Sequence, residues 1–376
     1  MTSRERMIVA MTGGQPDRVP VAPDMSNMIP CRLTGRPFWD VYYFREPPLW
    51  KAYIDAVHYF GIDGWFTYGD MQYQWSGDRY EAIEDMRKTA ERWVVRRRGR
   101  VDGQRYAGET TYYVADPPTE TGKPVADIER DWPLVEALLT PPVGYNPSLL
   151  RQQRAALGED GAFGVGVGYP GFQSWFGLFQ GGITDLSLWY YDKHDWIERL
   201  REVQERRVLA EMAMILKEKP DFVLLGGSGT ITLQSPTLAR ELSLPTIAKL
   251  TRMASEAGVP TMLHSCGHER ELVRWCAEET DLDCINPLEV PPMGDCDLAD
   301  IKRRYGDRIA LMGNLHTTEV MLCGTSEDVR RASRRAIDDA AAGGGFILST
   351  GDQCGRDTPD ENIRAMVEVA RSYGRY

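Results

Sequence analysis

The chain has 376 residues, enough for a large core in one elaborated domain or in two smaller ones. With 42% apolar and 26% charged residues it excludes a disordered chain, and 44 basic against 55 acidic side chains, a net charge of −11, argue against a general nucleic-acid or anionic-membrane surface. No apolar run of about 18 residues occurs and MTSRERMIVAMTGG (1–14) lacks a signal-peptide core, so the expected location is cytoplasmic.

In chain order, apolar runs of strand length bounded by turn residues begin with RVPVAPD (18–24) and DGWFTYGD (63–70). ERWVVRRRGRVDGQRYAGETTYYVADPP (91–118) then breaks the pattern, with three strand-like runs interrupted at Asp102, Gly103 and Gly108. It reads as an antiparallel meander, part of an insertion over about residues 90–142 that ends in a proline-rich connection. Its arginines, Arg92, Arg96, Arg97, Arg98 and Arg100, suit a solvated hairpin face or a polyanion site. The strand series resumes with AFGVGVGY (162–169), DFVLLGGS (221–228), VPTMLHS (259–265), LDCINP (282–287), RIALMGN (308–314) and GGFILSTGD (344–352). Amphipathic helices are expected between them, over 194–218, 235–258 and 326–343.

Eight near-continuously apolar strands alternating with helices imply parallel strands covered from outside. The expected fold is an α/β (β/α)8 TIM barrel over residues 1–376 with the inserted meander as decoration; a doubly wound open sheet is the fallback. Barrel enzymes carry their chemistry where the strands end. Those ends are Asp24, Asp70, Tyr169, Ser228, His264 with Cys266, Asn286 with Glu289, Asn314 with His316, and Asp352 with Cys354.

Seven scattered cysteines do not form a secreted disulfide framework, and reduced thiols are expected. His264 and Cys266 are two apart, so on a strand edge both side chains share a face. Cys354 follows another strand at the equivalent height. Imidazole and thiolate are ligands zinc prefers, and three of them leave a position open for substrate. A polar strand end with no metal is the alternative at this point. Cys276 and Cys284 fall in apolar patterns and read as core, and Cys31, Cys296 and Cys323 have no partner spacing. His268 reads as a loop residue or a substrate contact, and His58 and His194 as structural or exposed. The aromatic stretches FWDVYYF (38–44), WFTYGDMQYQW (65–75) and YPGFQSWFGLF (169–179) suit either core and lid or the wall of a flat ligand.

QPDRVPV (15–21), LHSCGHERELV (263–273), INPLEVPPMGDCDLADIKRRYGDRIALMGN (285–314) and GGGFILSTGDQCGRDTPDENIRAM (343–366) together resemble the uroporphyrinogen decarboxylase superfamily. The histidine, cysteine and distant second cysteine resemble its corrinoid-dependent methyltransferase branch. The resemblance implies zinc (Zn2+) held by His264, Cys266 and Cys354, with Glu289 as a carboxylate ligand that substrate displaces. It also implies a partner corrinoid (cobalamin) protein carrying a methylcobamide, and a small-molecule methyl acceptor or donor: coenzyme M or another thiol, tetrahydrofolate, or an aryl methyl ether. Asp70 matches the position of a cleft aspartate in the decarboxylases, and His316 ends the seventh expected strand; both are catalytic candidates, with Asp352 and Asp357 as groups that orient ligands or cap the loop. The rival implied by the superfamily is a metal-independent decarboxylase-like lyase. VAPDMSNMIPCRLTGR (21–36) lacks that branch's arginine-rich pattern, though Arg32 and Arg36 remain. A noncatalytic barrel that binds a corrinoid protein is a third reading.

Overall fold

Strands that are apolar on both faces need cover on both sides, and this chain supplies it with helices outside and its own N-terminal helix inside. In the computed structural model, which describes residues 1–376, seven parallel strands pair in chain order. They are β1 Gly64–Gly69, β2 Gly161–Val167, β3 Phe222–Gly226, β4 Thr261–His264, β5 Cys284–Asn286, β6 Ala310–Leu315 and β7 Phe346–Thr350.

The first expected strand, 18–24, is shorter than the sequence suggested. Val21 bridges Leu348 in parallel: Ala22 N donates to Leu348 O at 2.9 Å and Leu348 N to Pro20 O at 2.9 Å. Pro20 and Pro23 have no N–H to give, so the ladder cannot lengthen. On the other side Asp63 N donates to Val21 O at 2.9 Å, and Val21 N donates to the Asp63 side chain at 2.9 Å. This segment closes the curled sheet between β7 and β1. Asp63 is fully buried and also accepts from Arg6 Nη1 at 2.7 Å and Arg18 Nη1 at 2.8 Å, which ties the N-terminal helix Ser3–Met11 to the seam.

Met7, Ala10 and Met11 of that helix pack with Ala22, Trp65, Phe222, Met262, Cys284, Met312 and Ile347 inside the barrel, while a 60-residue apolar cluster fills the space between sheet and outer helices. Side chains two apart on a strand share a face. One step above this apolar plug, the interior is therefore lined by Asp24, His264, Asn286, Asn314 and Ser349. The change from apolar to polar along the barrel axis defines its floor and its mouth.

The inserted sheet has four antiparallel strands, not three, and starts earlier than expected: Arg79–Lys88, Arg92–Val101, Gln104–Tyr113 and Thr119–Gly122. The first escaped notice because RYEAIEDMRK is mostly exposed on both faces and carries no apolar alternation. Four of the five arginines of the run are paired beside this sheet: Arg97 lies 3.5 Å from Glu81, Arg96 2.7 Å from Glu109, and Arg98 and Arg100 pair with Glu84 and Asp78. That is the solvated hairpin face rather than a polyanion site. Val101 and Val125 join this insertion to Trp175 and Leu200 in a second apolar cluster.

The expected helix 194–218 forms as His194–Glu218 and 326–343 as Ser326–Ala340. The stretch 235–258 is two helices, Pro236–Leu242 and Leu244–Ala257, because Pro245 cannot donate to the preceding turn. No helix is long and apolar enough to cross a membrane. All seven cysteines are free thiols.

Candidate metal centre

His264 ends β4, and Cys266 follows on the turn that leaves the barrel wall. That turn needs Gly267: its φ is +95°, and a Cβ there would meet Thr232 Oγ1 at 2.2 Å. Across the barrel, the loop after β7 brings Asp352 to the same point. Its φ of 109° is unusual for a residue with a side chain and turns the carboxylate inward. His264, Cys266 and Asp352 each offer a ligand atom within 4.8 Å of the other two, with His264 Nε2 3.9 Å from Asp352 Oδ1.

Cys354 sits beside this group and is fully buried; its thiol rests 3.9 Å from Thr350 Oγ1, and its N–H donates to Asp24 O at 2.8 Å. Its sulfur is not one of the three atoms that converge. Glu289 is buried and accepts from Gly267 N, which holds it against the turn carrying Cys266. Asp24 is buried on the interior face and accepts from Ser26 N at 2.9 Å.

The other sequence candidates lie elsewhere. Asp70 is exposed at the end of β1, its carboxylate folded back on Gln72 N at 2.8 Å. His316 caps a helical turn, Nδ1 accepting from Thr318 N at 3.2 Å and Glu319 N at 3.1 Å, and no hydrogen bond links it to the cluster. His268 is exposed, and Asp357 pairs with Arg356 at 2.8 Å. Of the aromatic stretches, Phe38, Phe66, Tyr169, Phe172, Trp175 and Phe179 are buried core. Trp65 lies near the centre, its ring 6.4 Å from that of His264.

Sequence reasoning gave Asp24 no role in the site and Asp352 only a supporting one. Both were visible as strand-end acids, but only the positive φ at Asp352 and the short seam strand reveal that they face inward.

The electrostatics would suit a bound cation. Burial, with the nearby Asp352 charge, pushes the Cys266 thiol up to about 12, against a hydrogen bond from Ser228 that favours the thiolate. Burial and Asp24 push Cys354 up to about 12 as well. Burial raises Asp24 and Glu289 above the usual carboxylate range, with Asp352 adding to both shifts. Neither carboxylate has a lysine or arginine partner; their hydrogen bonds come from backbone and hydroxyl donors near the site. Buried acids without a cation are costly. Nitrogen, sulfur and carboxylate donors around one point fit a zinc ion, and His264 Nδ1, buried and unpartnered, fits a ring that ligates through Nε2.

Beside this cluster the barrel interior has room. Gly226 on β3 is the register partner of His264, and a Cβ built there or at Gly166 would meet nothing within 4 Å. Behind Cys266, Glu269 is raised to about 8 by burial and accepts from Ile231 N at 3.2 Å, next to the Ser265–Thr230–Tyr169 hydroxyl chain.

Residues 178–373, more than half of the chain, match the family model of uroporphyrinogen decarboxylase (URO-D). The chain is 32% identical over 158 residues to the methylcobamide:CoM methyltransferase MtbA of Methanosarcina mazei, covering 39% of this chain and 43% of that protein. It is 31% identical over 153 residues to the uroporphyrinogen decarboxylase of Thioalkalivibrio sulfidiphilus, covering 40% of each. The chain thus spans less than half the length of these curated relatives. A solved structure described as a methyltransferase from Methanosarcina mazei superposes with a TM-score of 0.67 over 99% of both chains at 16% identity, which shows a shared fold.

Proposed function

This chain belongs to the uroporphyrinogen decarboxylase (URO-D) family, and from that premise we propose that it is a zinc-containing methyltransferase. It moves a methyl group between a corrinoid carrier, held on a partner protein, and a thiol or other small acceptor or donor. Residues 1–376 act as one barrel unit with the inserted sheet as decoration. The observation that carries this reading is the imidazole–thiol–carboxylate cluster of His264, Cys266 and Asp352 at the barrel mouth. The similarity to proteins named methylcobamide:CoM methyltransferase supports it.

His264, Cys266 and Cys354 would hold the metal, with a carboxylate from Glu289 or Asp352 completing the set. Bound zinc supplies a positive charge that lowers the pKa of a coordinating thiol, so that its sulfur is deprotonated and nucleophilic at neutral pH.

The residues around it have separable tasks. Ser228, beside the Cys266 sulfur, favours its thiolate form. Gly267 N fixes the Glu289 carboxylate beside the cluster. The open space over Gly166 and Gly226 admits a substrate alongside His264, and Trp65 forms a flat apolar wall near that ring. Asp70 and His316, at the ends of β1 and β6, stay candidates for substrate contact rather than for ligation.

The metal-independent lyase reading has less support. Arg32 is already ion-paired with Asp360 at 2.6 Å, and Arg36 donates to Glu46 O at 3.3 Å. The deciding assay supplies methylcobalamin with a panel of thiols and tetrahydrofolate and follows loss of the methyl–cobalt absorbance. Turnover by the parent and its loss in Cys266→Ala is the expected result. Equal rates in both proteins would remove the cluster from the reaction.

A further inference from the structure

We infer that the side chain of Asn286 positions His264, its Oδ1 accepting the Nδ1–H of the imidazole. The inference rests on the metal reading above and adds to it a residue that holds a ligand without touching the ion.

His264 and Asn286 are register partners on the adjacent parallel strands β4 and β5, and Ser265 N donates to Asn286 O at 2.9 Å, which locks the strands together at this level. Residues paired in register point to the same face, here the barrel interior. On the other side of His264 the register partner is Gly226, which has no side chain. Asn286 therefore supplies the one side chain that flanks His264 within the sheet.

Both groups are conspicuous for what they lack. Asn286 is 0% exposed, and neither its Oδ1 nor its Nδ2 has a hydrogen-bond partner. His264 Nδ1 is buried and equally unpartnered. A buried polar atom left unpaired loses its bonds to water and gains none in return, so two complementary unpaired groups in register call for each other. His264 Nε2 faces the cluster, 3.9 Å from Asp352. When Nε2 gives its lone pair to a metal, the ring proton resides on Nδ1 and requires an acceptor. In the structure the two side chains lie in register but each is still unpartnered; the Asn286 carboxamide is the acceptor that the Nδ1 proton takes up once Nε2 ligates, and being neutral it adds no negative charge to a mouth that already holds Asp24, Glu289 and Asp352.

The test uses the full chain and zinc alone. Zinc affinity is measured by chelator competition for the parent, Asn286→Leu, Asn286→Asp and Cys266→Ala, with circular dichroism to check folding. A loss of about 10–100-fold in Asn286→Leu, restored in Asn286→Asp, which keeps an acceptor, is expected. In the zinc-loaded parent, labelled with 15N-histidine, the His264 ring N–H should resist exchange with solvent, a readout that needs no variant to fold. Unchanged affinity in Asn286→Leu, or a His264 ring proton that exchanges as fast as that of exposed His268, overturns the inference. Zinc binding that is lost in Cys266→Ala but indifferent to Asn286→Leu overturns it alone. A parent that binds no zinc overturns the metal reading together with it.

Discussion

Two thiols, Cys266 half-buried and Cys354 buried, govern how the proposed centre responds to pH. Burial pushes Cys266 and Cys354 up to about 12, so both are protonated at neutral pH in the metal-free protein, and a metal must displace their protons. Zinc affinity should therefore rise with pH, by about tenfold per unit for each thiol that must deprotonate. Chelator competition at several pH values checks this, and an affinity flat in pH would mean that the thiols do not ligate. Gly226 gives a second residue-scale test. Filling the space beside His264 with Gly226→Leu should lower methyl transfer by about tenfold or more while leaving bound zinc in place, since only the substrate's room is lost. At this scale His264 and Cys266 were legible in the sequence because a spacing of two at a strand end puts both on one face. Asp352 was not legible as a member of the converging trio, since its inward turn depends on a backbone φ of 109° that no residue pattern announces.

Among the elements, the seam strand shows how a short contact closes a barrel. Two prolines cap its ladder, and the Asp63 carboxylate takes over part of the bonding by accepting from Val21 N, Arg6 and Arg18. Removing it leaves Arg18 without its carboxylate partner and Arg6 with Asp17 alone. Asp63→Ala should cost about 3 kcal/mol in urea unfolding, and a change within about 0.5 kcal/mol would show that the seam is held by packing instead. The seven longer strands were readable because burial on both faces makes them continuously apolar. The strand Arg79–Lys88 was not, because its pairing is carried by backbone bonds and surface charges rather than by an apolar face. The break at Ser243 was foreshadowed by Pro245, which amphipathic periodicity alone overrides.

For the whole molecule, the barrel separates stability from chemistry along one axis. The N-terminal helix and the apolar layer of Met262, Cys284, Met312 and Ile347 form the floor, and the polar layer above them carries the acids and ligands. Buried like charges at the mouth weaken the fold, and a bound cation relieves them. Zinc at a hundred times its dissociation constant should add about 2.7 kcal/mol of stability and raise the melting temperature of the parent, with no such rise in Cys266→Ala. Calorimetry with and without zinc reads this directly. The alternation of strands and helices made this architecture legible in the sequence; the convergence of ligands from β4 and the loop after β7 depends on closure, which becomes visible only in three dimensions.

The central claim is that the barrel mouth holds zinc through His264, Cys266 and Cys354. It is tested most directly by the zinc content of the protein purified without added metal, beside Cys266→Ala and Cys354→Ala. About one zinc per chain in the parent, lost in both variants, is the expected result. A parent free of zinc, or variants that keep it in full, would contradict the claim.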